Sequence, residues 1–278
     1  MRKLMSFFAA HASTFCLCKT LFWASGAVNN GLIKKTTVEN ETTNRTRGHL
    51  ANPMPQFLFD IDPGYLSLPQ LQHQLNMLQG AIRKPEKIQQ DPHLKSWRGH
   101  VDALMTMYNL VVSEINLRQN STLPYIHASG ESLIWPARPG IPVEEQWPQA
   151  EAGARLPSPR NDQALWAQHK YSVMARNQGM YQSLGRAVAA REIGLGDLAE
   201  ELVAALRVPP PLGGLRNAVW HMWGYISQFS QLKPDNTPLP TVFREIQLLA
   251  GKHQSAYLLN STALGELAYW CWLFEGKH

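Results

Sequence analysis

The segment Asp91-Pro-His-Leu-Lys-Ser-Trp-Arg-Gly-His100, with the helix that follows it, decides how this chain is organised. Apolar side chains then recur at Leu104, Tyr108, Val111, Val112 and Ile115. That spacing places them on one stripe of an α-helix, which must pack against other elements. The basic and aromatic residues before the helix lie at its N-terminal end, where unpaired backbone N–H groups suit a phosphate.

Helical patterns continue on both sides of this segment. Ser67 caps a predicted helix that Pro85 ends. Residues 120–160 hold 7 of the 19 prolines, which predicts an irregular segment that becomes a linker at about 150–160. Further helices are predicted over 164–176, 180–190, 198–206, 217–229, 241–259 and 263–274. The expected fold class is mainly α, with two helical domains (54–150 and 160–278) joined by the Pro-rich irregular segment.

The net charge of +5 lies entirely in the N-terminal extension. Residues 1–53 contain 7 Lys/Arg and 2 Asp/Glu, whereas the rest of the chain contains 19 of each. A neutral body lacks the positive field that generic nucleic-acid binding uses, so the pI identifies no partner. A local basic cluster remains, formed by Arg83, Lys84, Lys87, Lys95 and Arg98.

The extension of residues 1–53 has two interpretations. Its apolar first half is interrupted by His11 and Lys19, which is too broken for a membrane span. Residues 29–53 are polar and are predicted to be disordered. We favour translation starting at Met54, which gives a cytoplasmic protein without a membrane partner, associated with the nucleoid if it binds DNA. A secretory leader cleaved near Ala27 is the alternative. Three cysteines are too few for a disulfide framework and fit a reducing compartment.

Two groups of residues in the first half carry chemistry. If Met54 is removed, Pro55 presents a secondary amine that can attack an aldehyde and form an iminium; otherwise it is an ordinary loop proline. The basic cluster with Trp97 suits nucleic acid, through phosphate contacts and base stacking. A solvated helix end beside a partly buried tryptophan has the same composition, so that alternative stays open.

The second half contributes the motifs His169-Lys-Tyr and Asn217-Ala-Val-Trp-His221. Asn217 and His221 are four residues apart and share one helical face. Two histidines can contribute to a metal site, but no carboxylate accompanies them at ligand spacing. We therefore interpret these residues as hydrogen-bonded members of the core and predict no metal.

Two blocks of the chain resemble known families. Residues 54–147 resemble the pyrimidine-dimer DNA glycosylases of the endonuclease V type, through the opening Met54-Pro-Gln-Phe-Leu-Phe-Asp-Ile-Asp-Pro-Gly-Tyr-Leu, Asp91-Pro-His, Trp97-Arg-Gly-His100-Val, the helix over 104–118 and Leu123-Pro-Tyr. Residues 162–270 are similar to the helical domain of unknown function of YbgA-type proteins, through His169-Lys-Tyr-Ser-Val-Met-Ala, Tyr181-Gln-Ser-Leu-Gly185 and the segment from Asn217 to Tyr225.

The first resemblance implies a DNA-repair reaction. An N-terminal amine attacks the sugar of a damaged nucleotide, and the imine permits strand cleavage while a carboxylate on the first helix moves protons. No metal or organic cofactor is needed, and the expected partner is damaged double-stranded DNA. Carried over, the resemblance makes Pro55 the nucleophile and sets Asn76 and His100 in the pocket. The DNA contacts would be Arg83, Lys84, Lys95, Trp97 and Arg98.

Two departures from the family pattern favour another function. Asn76 stands where the family has a glutamate, and Leu75 where it has an arginine. An amide cannot exchange a proton as a carboxylate does, and such help is worth about 10²–10⁴-fold. Asp60 and Asp62 are nearby carboxylates, and the sequence spacing does not decide whether either one substitutes for the missing glutamate. The alternative is a non-catalytic helical interaction or regulatory protein, with an unidentified protein partner for the C-terminal domain.

Overall fold

Helices supply the regular structure of the chain, as the sequence predicts. The structure is a computed structural model that describes residues 57–92, 94–128, 133–137, 143–147 and 153–275. Within these residues every regular element is an α-helix or a short 3-10 helix, and no strand occurs. The mainly α class is therefore confirmed. Pro55, Met54 and the extension of residues 1–53 lie outside the described residues.

The α-helices have the following bounds in chain order. They are α1 (Leu68–Arg83), α2 (Val101–Gln119), α3 (Val143–Gln146), α4 (Asp162–Arg176), α5 (Gln178–Ala190), α6 (Leu195–Leu206), α7 (Leu212–Ile226), α8 (Leu239–Lys252), α9 (Ala256–Leu259) and α10 (Ala263–Glu275). Short 3-10 helices cover Pro63–Tyr65, Pro85–Gln89, Lys95–Trp97, Ser227–Phe229 and Pro234–Asn236. Among the described helices, none is long and apolar enough to cross a bilayer.

The bounds of α1 follow from its capping residues. The Ser67 hydroxyl accepts a hydrogen bond from the Gln70 backbone N–H at 3.3 Å, and the Gln70 side chain accepts one from the Ser67 N–H at 3.0 Å. This reciprocal pair satisfies two N–H groups that the first turn leaves unpaired. Pro85 then excludes a helical conformation at Lys84, so α1 ends at Arg83.

One predicted helix is divided in the structure. The sequence predicts a continuous helix over 241–259, whereas α8 ends at Lys252 and α9 begins at Ala256. The break occurs at Gln254, whose φ of +49° is left-handed. Its side chain donates to the Gly251 carbonyl at 2.7 Å, so it satisfies a carbonyl that the end of α8 exposes.

The two predicted domains share their packing. One core cluster contains Leu71 and Leu104 from the first half together with Leu165 and Leu198 from the second. The last helix, α10, packs against α2 as well as against α4 and α8. All the described residues accordingly belong to one compact unit. The division into domains at 54–150 and 160–278 stays a prediction.

Candidate functional site

The end of α1 and the irregular segment after it form an open groove, here called the α1 groove. Asn76, Arg83 and Lys84 line it together with apolar side chains and Asp91, and its volume is about 440 Å³. Asn76 and Arg83 are exposed because they lie on α1 away from the buried stripe of Leu71, Leu75 and Leu78, and Lys84, the C-cap of α1, is exposed as well. The Asn76 amide oxygen accepts a hydrogen bond from Gln72 at 3.2 Å.

Around the 3-10 helix Lys95–Trp97, the basic side chains face solvent and the tryptophan that was predicted to stack on a base faces the core. Lys95 and Arg98 are exposed, whereas Trp97 is only 5% exposed and belongs to the core. Its ring meets the Trp135 ring edge-on, with 6.2 Å between centroids. The prediction that Trp97 stacks on a base does not fit this position.

His100 lies at a different depression from Asn76. It is the N-cap of α2, and its Nδ1 lies 2.9 Å from the Ile134 carbonyl oxygen. The depression beside it, about 620 Å³, is lined by Asp102, His127 and Ile134 but not by any residue of α1. The structure therefore does not bring Asn76 and His100 into one pocket, and Pro55 lies outside the described residues.

Asp60 and Asp62, the two carboxylates near the predicted site, do not line the α1 groove. Asp60 forms an ion pair with Arg207, whose Nη2 lies 2.9 and 3.1 Å from its two oxygens. Asp62 is turned inward, and one of its oxygens accepts a hydrogen bond from the Gly64 N–H at 2.8 Å. Burial, and then the charges of Glu114 and Glu266, raise the pKa of Asp62 to about 8. Asp62 is therefore mostly protonated at pH 7.

A buried ion cluster joins the two halves of the chain, and we call it the buried junction: Glu114 of α2, Arg118 and Arg155. Arg155 donates to both carboxylate oxygens of Glu114 at 2.8 Å, and Arg118 donates to one of them at 2.7 Å. Arg155 also donates to the Leu259 and Ser261 carbonyls, at 2.6 and 3.0 Å. Burial alone would raise the pKa of Glu114, but the two arginines outweigh it and lower that pKa.

A second buried pair lies within the C-terminal half. Arg176 forms an ion pair with Glu266, and both side chains are almost fully enclosed. The same guanidinium donates to the carbonyls of Ser172, Leu206 and Val208 at 2.6–3.1 Å. This pair therefore ties α4 to α10 and to the end of α6.

A partly enclosed cavity of about 80 Å³ lies where the segment before α1 meets α2, α4 and α6. Its polar lining includes Asp60, Asp62, His169, Arg207 and Glu266. His169 Nδ1 lies 3.0 Å from the Leu165 carbonyl, and burial lowers the pKa of His169 to about 4. The imidazole is therefore neutral at pH 7, and the prediction of a hydrogen-bonded core residue holds for His169.

Residues from both motifs of the second half meet in a surface cluster around Tyr257, which the sequence analysis did not name. The Tyr171 hydroxyl lies 3.0 Å from that of Tyr257, whose ring stacks on Tyr225 with centroids 4.4 Å apart. Lys170 Nζ lies 4.6 Å from the centre of the Tyr257 ring. Burial lowers the pKa of Lys170 and raises that of Tyr171. Asn217 and His221 are exposed, so the prediction that they are core residues is wrong.

This C-terminal half matches a known family. Residues 170–266 match the family described as "Protein of unknown function (DUF1722)". The match runs from Lys170 in α4 to Glu266 in α10, so it includes the motif from Asn217 to His221 and all of His169-Lys-Tyr except His169. It confirms the YbgA-type prediction over these residues. The glycosylase resemblance over 54–147 gains no such match and stays a prediction. No curated protein and no solved structure matches the chain.

The described residues of the DUF1722 region do not form a metal centre. Across the described part of the chain, no three His, Cys, Asp or Glu side chains come close enough to share a metal ion. Cys271 is buried in α10, and burial raises the pKa of its thiol, which keeps the sulfur protonated and a poor ligand.

Proposed function

We propose that this protein binds damaged double-stranded DNA through the α1 groove, as a relative of the pyrimidine-dimer DNA glycosylases. The main support is that Asn76, Arg83 and Lys84 line one open groove. Lys95 and Arg98 are exposed in the segment that follows Leu94, which also lines the groove. Two cations therefore line a surface whose shape admits a ligand, and two more exposed cations follow it closely in the sequence.

Phosphate contacts are the chemistry that these cations supply. Each neutralised phosphate releases counterions, so affinity falls with salt at a slope of about −0.9 per contact. Asp91 in the groove and the neutral charge of the body limit the number of contacts. We therefore expect weak binding, with a salt slope of about −4 at most if all four cations contact phosphates. Base stacking on Trp97 is no part of the proposal, because that ring is enclosed.

Catalysis belongs to the proposal only for a chain that begins at Pro55. Its secondary amine would attack C1′ of the sugar at the lesion, and the glycosidic bond would break with the damaged base as leaving group. The resulting iminium would permit elimination of the 3′ phosphate, which cleaves the strand. Asn76 can orient a sugar hydroxyl or a water but cannot transfer a proton. Without that transfer, we expect a rate about 10²–10⁴-fold below that of a relative with the carboxylate.

DNA binding is tested with a duplex that carries one cyclobutane pyrimidine dimer. The variant Arg83→Gln with Lys84→Gln is compared with Arg186→Gln with Arg216→Gln, which removes two exposed cations from the DUF1722 region. Both variants have the same net charge. Fluorescence anisotropy across a salt series should give a slope reduced by about 2 for the first variant only. Equal slopes for the two variants would contradict the α1 groove as the binding surface.

The imine is tested by borohydride trapping on a duplex with an abasic site. A chain that begins at Pro55 should become covalently attached, and the same chain with an N-terminal extension should not. Trapping by both chains would assign the amine to another residue.

A non-catalytic interaction or regulatory protein is the second candidate. It is favoured by the separation of Asn76 from His100, which line different depressions. A Pro55-initiated chain that binds the damaged duplex but never traps would support this candidate over the enzyme.

A further inference from the structure

Three residues that line the partly enclosed cavity carry buried polar atoms that no described residue satisfies. They are the indole N–H of Trp147, the Nε–H of Arg207 and the Oε2 of Glu266. All three residues line the cavity, and Trp147 and Glu266 are each only 5% exposed. Buried donors and acceptors normally have partners, so three orphaned atoms around one cavity indicate that something else bonds to them.

His169 adds an acceptor to the same lining. Because its Nδ1 lies 3.0 Å from a carbonyl oxygen, the proton belongs on Nδ1. Nε2 then carries a lone pair. The residues that line the cavity thus carry two N–H donors and two acceptor atoms.

The charges around the cavity are already matched. Asp60 pairs with Arg207, and Glu266 pairs with Arg176. Since Asp62 and His169 are both mostly neutral at pH 7, an ion that entered the cavity would have no counter-charge. The occupant must therefore be uncharged.

The size of the cavity limits the group that enters it to a few atoms. A protein cavity of about 150 Å³ holds benzene, with its six carbon atoms. This cavity, at about 80 Å³, has room for roughly three or four non-hydrogen atoms on that scale.

We propose that the cavity binds the primary amide or ureido group of a small molecule. The ligand carbonyl accepts from Trp147 Nε1–H and Arg207 Nε–H, and its NH₂ group donates to Glu266 Oε2. An amide matches this set because it presents an acceptor and a donor side by side without net charge. The site shares no residue with the α1 groove, so it stands independently of DNA binding.

Acetamide is the probe, and the readout is the ¹⁵N–¹H signal of the Trp147 indole, assigned through Trp147→Phe. Acetamide should shift that signal saturably, with a Kd no tighter than about 40 µM for four non-hydrogen atoms. Acetone, which lacks the NH₂ group, should bind at least about tenfold more weakly. Acetate, which is charged, should produce no saturable shift. Equal affinity for acetamide and acetone would overturn the proposal.

A cavity-filling variant separates binding in the cavity from binding elsewhere. Ala199 lines the cavity on α6, so Ala199→Val should abolish the acetamide shift. The matched control is Ala204→Val, at an exposed position on the same helix, which should leave the shift unchanged. A shift that survives Ala199→Val contradicts the site. A crystal of the wild-type protein soaked in acetamide that shows only water in the cavity also contradicts it.

Discussion

The cations of the α1 groove and those of the buried junction have opposite environments. Arg83 and Lys84 in the groove are exposed and form no ion pair with a described residue. Arg155 at the junction is enclosed and donates hydrogen bonds to Glu114 and to two backbone carbonyls. Solvated cations cost little to maintain and contribute little to the fold, so they remain available to a ligand. An enclosed cation must be fully paired, because an unpaired charge in the interior is strongly destabilising. We therefore expect substitutions in the α1 groove to change ligand binding, and substitutions at the buried junction to change the stability of the fold.

The largest expected effect is at Arg155. Arg155→Met leaves Glu114 buried with Arg118 as its remaining partner, and it removes the donors to the Leu259 and Ser261 carbonyls. We expect the free energy of unfolding in urea to fall by about 3 kcal/mol. Adding Glu114→Gln should lower it further, since Arg118, whose side chain is only 10% exposed, would then lose its carboxylate partner. A loss below about 1 kcal/mol for Arg155→Met would mean that the junction does not hold the two halves together.

The next effect concerns pH and Asp62. Its pKa of about 8 in the folded protein lies above its ordinary value of 3.8, so the folded state holds a proton that the unfolded state releases. The free energy of unfolding therefore falls as pH rises towards 8. His169, with a pKa lowered to about 4, acts in the opposite direction, but only below its ordinary value of 6.5.

Between pH 6.5 and 8, the pH dependence of the free energy of unfolding should therefore report the titration of Asp62 without that of His169. The wild-type protein should lose about 2 kcal/mol of stability across this interval. Asp62→Asn should lose clearly less, because its amide has no proton to release and its oxygen can still accept the Gly64 N–H bond. Unfolding curves at the two pH values measure both. Equal losses would show that Asp62 is ionised in the folded protein.

A smaller effect is expected at two helical glycines. A Cβ at Gly265 would overlap the Glu114 carboxylate, whereas a Cβ at Gly80 meets nothing within 4 Å. Gly265→Ala should lower the free energy of unfolding by about 1 kcal/mol or more, since the junction must move. Gly80→Ala should raise it by about 0.5–1 kcal/mol, the usual gain for alanine within a helix. Gains of equal size at both sites would show that the junction tolerates displacement.

The helices were predictable because local residues specify them. The predicted range 180–190 appears as Gln178–Ala190, and the additional first turn results from Asn177, whose side chain accepts from the Met180 N–H at 3.0 Å. Arg83 and Lys84 were named from sequence as members of the basic cluster, but the groove that they line was not predicted. Periodicity and capping act over a few residues, so one chain is enough to read them.

The buried junction was not predictable in the same way. Arg155 lies in the segment interpreted as a linker, and its partners are 41 residues before it and 104 and 106 residues after it. One signal was present: Glu114 lies between Val112 and Ile115 on a helix that had to be buried, which predicts a buried counter-ion without naming it. Similarly, spacing could not tell that the 3-10 helix turns Trp97 inward while Lys95 and Arg98 face solvent.

The smallest expected effect on stability is at the groove itself. Arg83→Gln with Lys84→Gln should change the free energy of unfolding by less than about 0.5 kcal/mol, because both side chains are exposed and pair with no described residue. The measurement uses the same urea titration as Arg155→Met, so the two results can be compared directly. If the groove variant retains wild-type stability while losing salt-dependent DNA binding, the lost affinity cannot be attributed to unfolding. A loss of about 2 kcal/mol or more would instead make these two cations structural and remove the main support for the groove as a DNA contact.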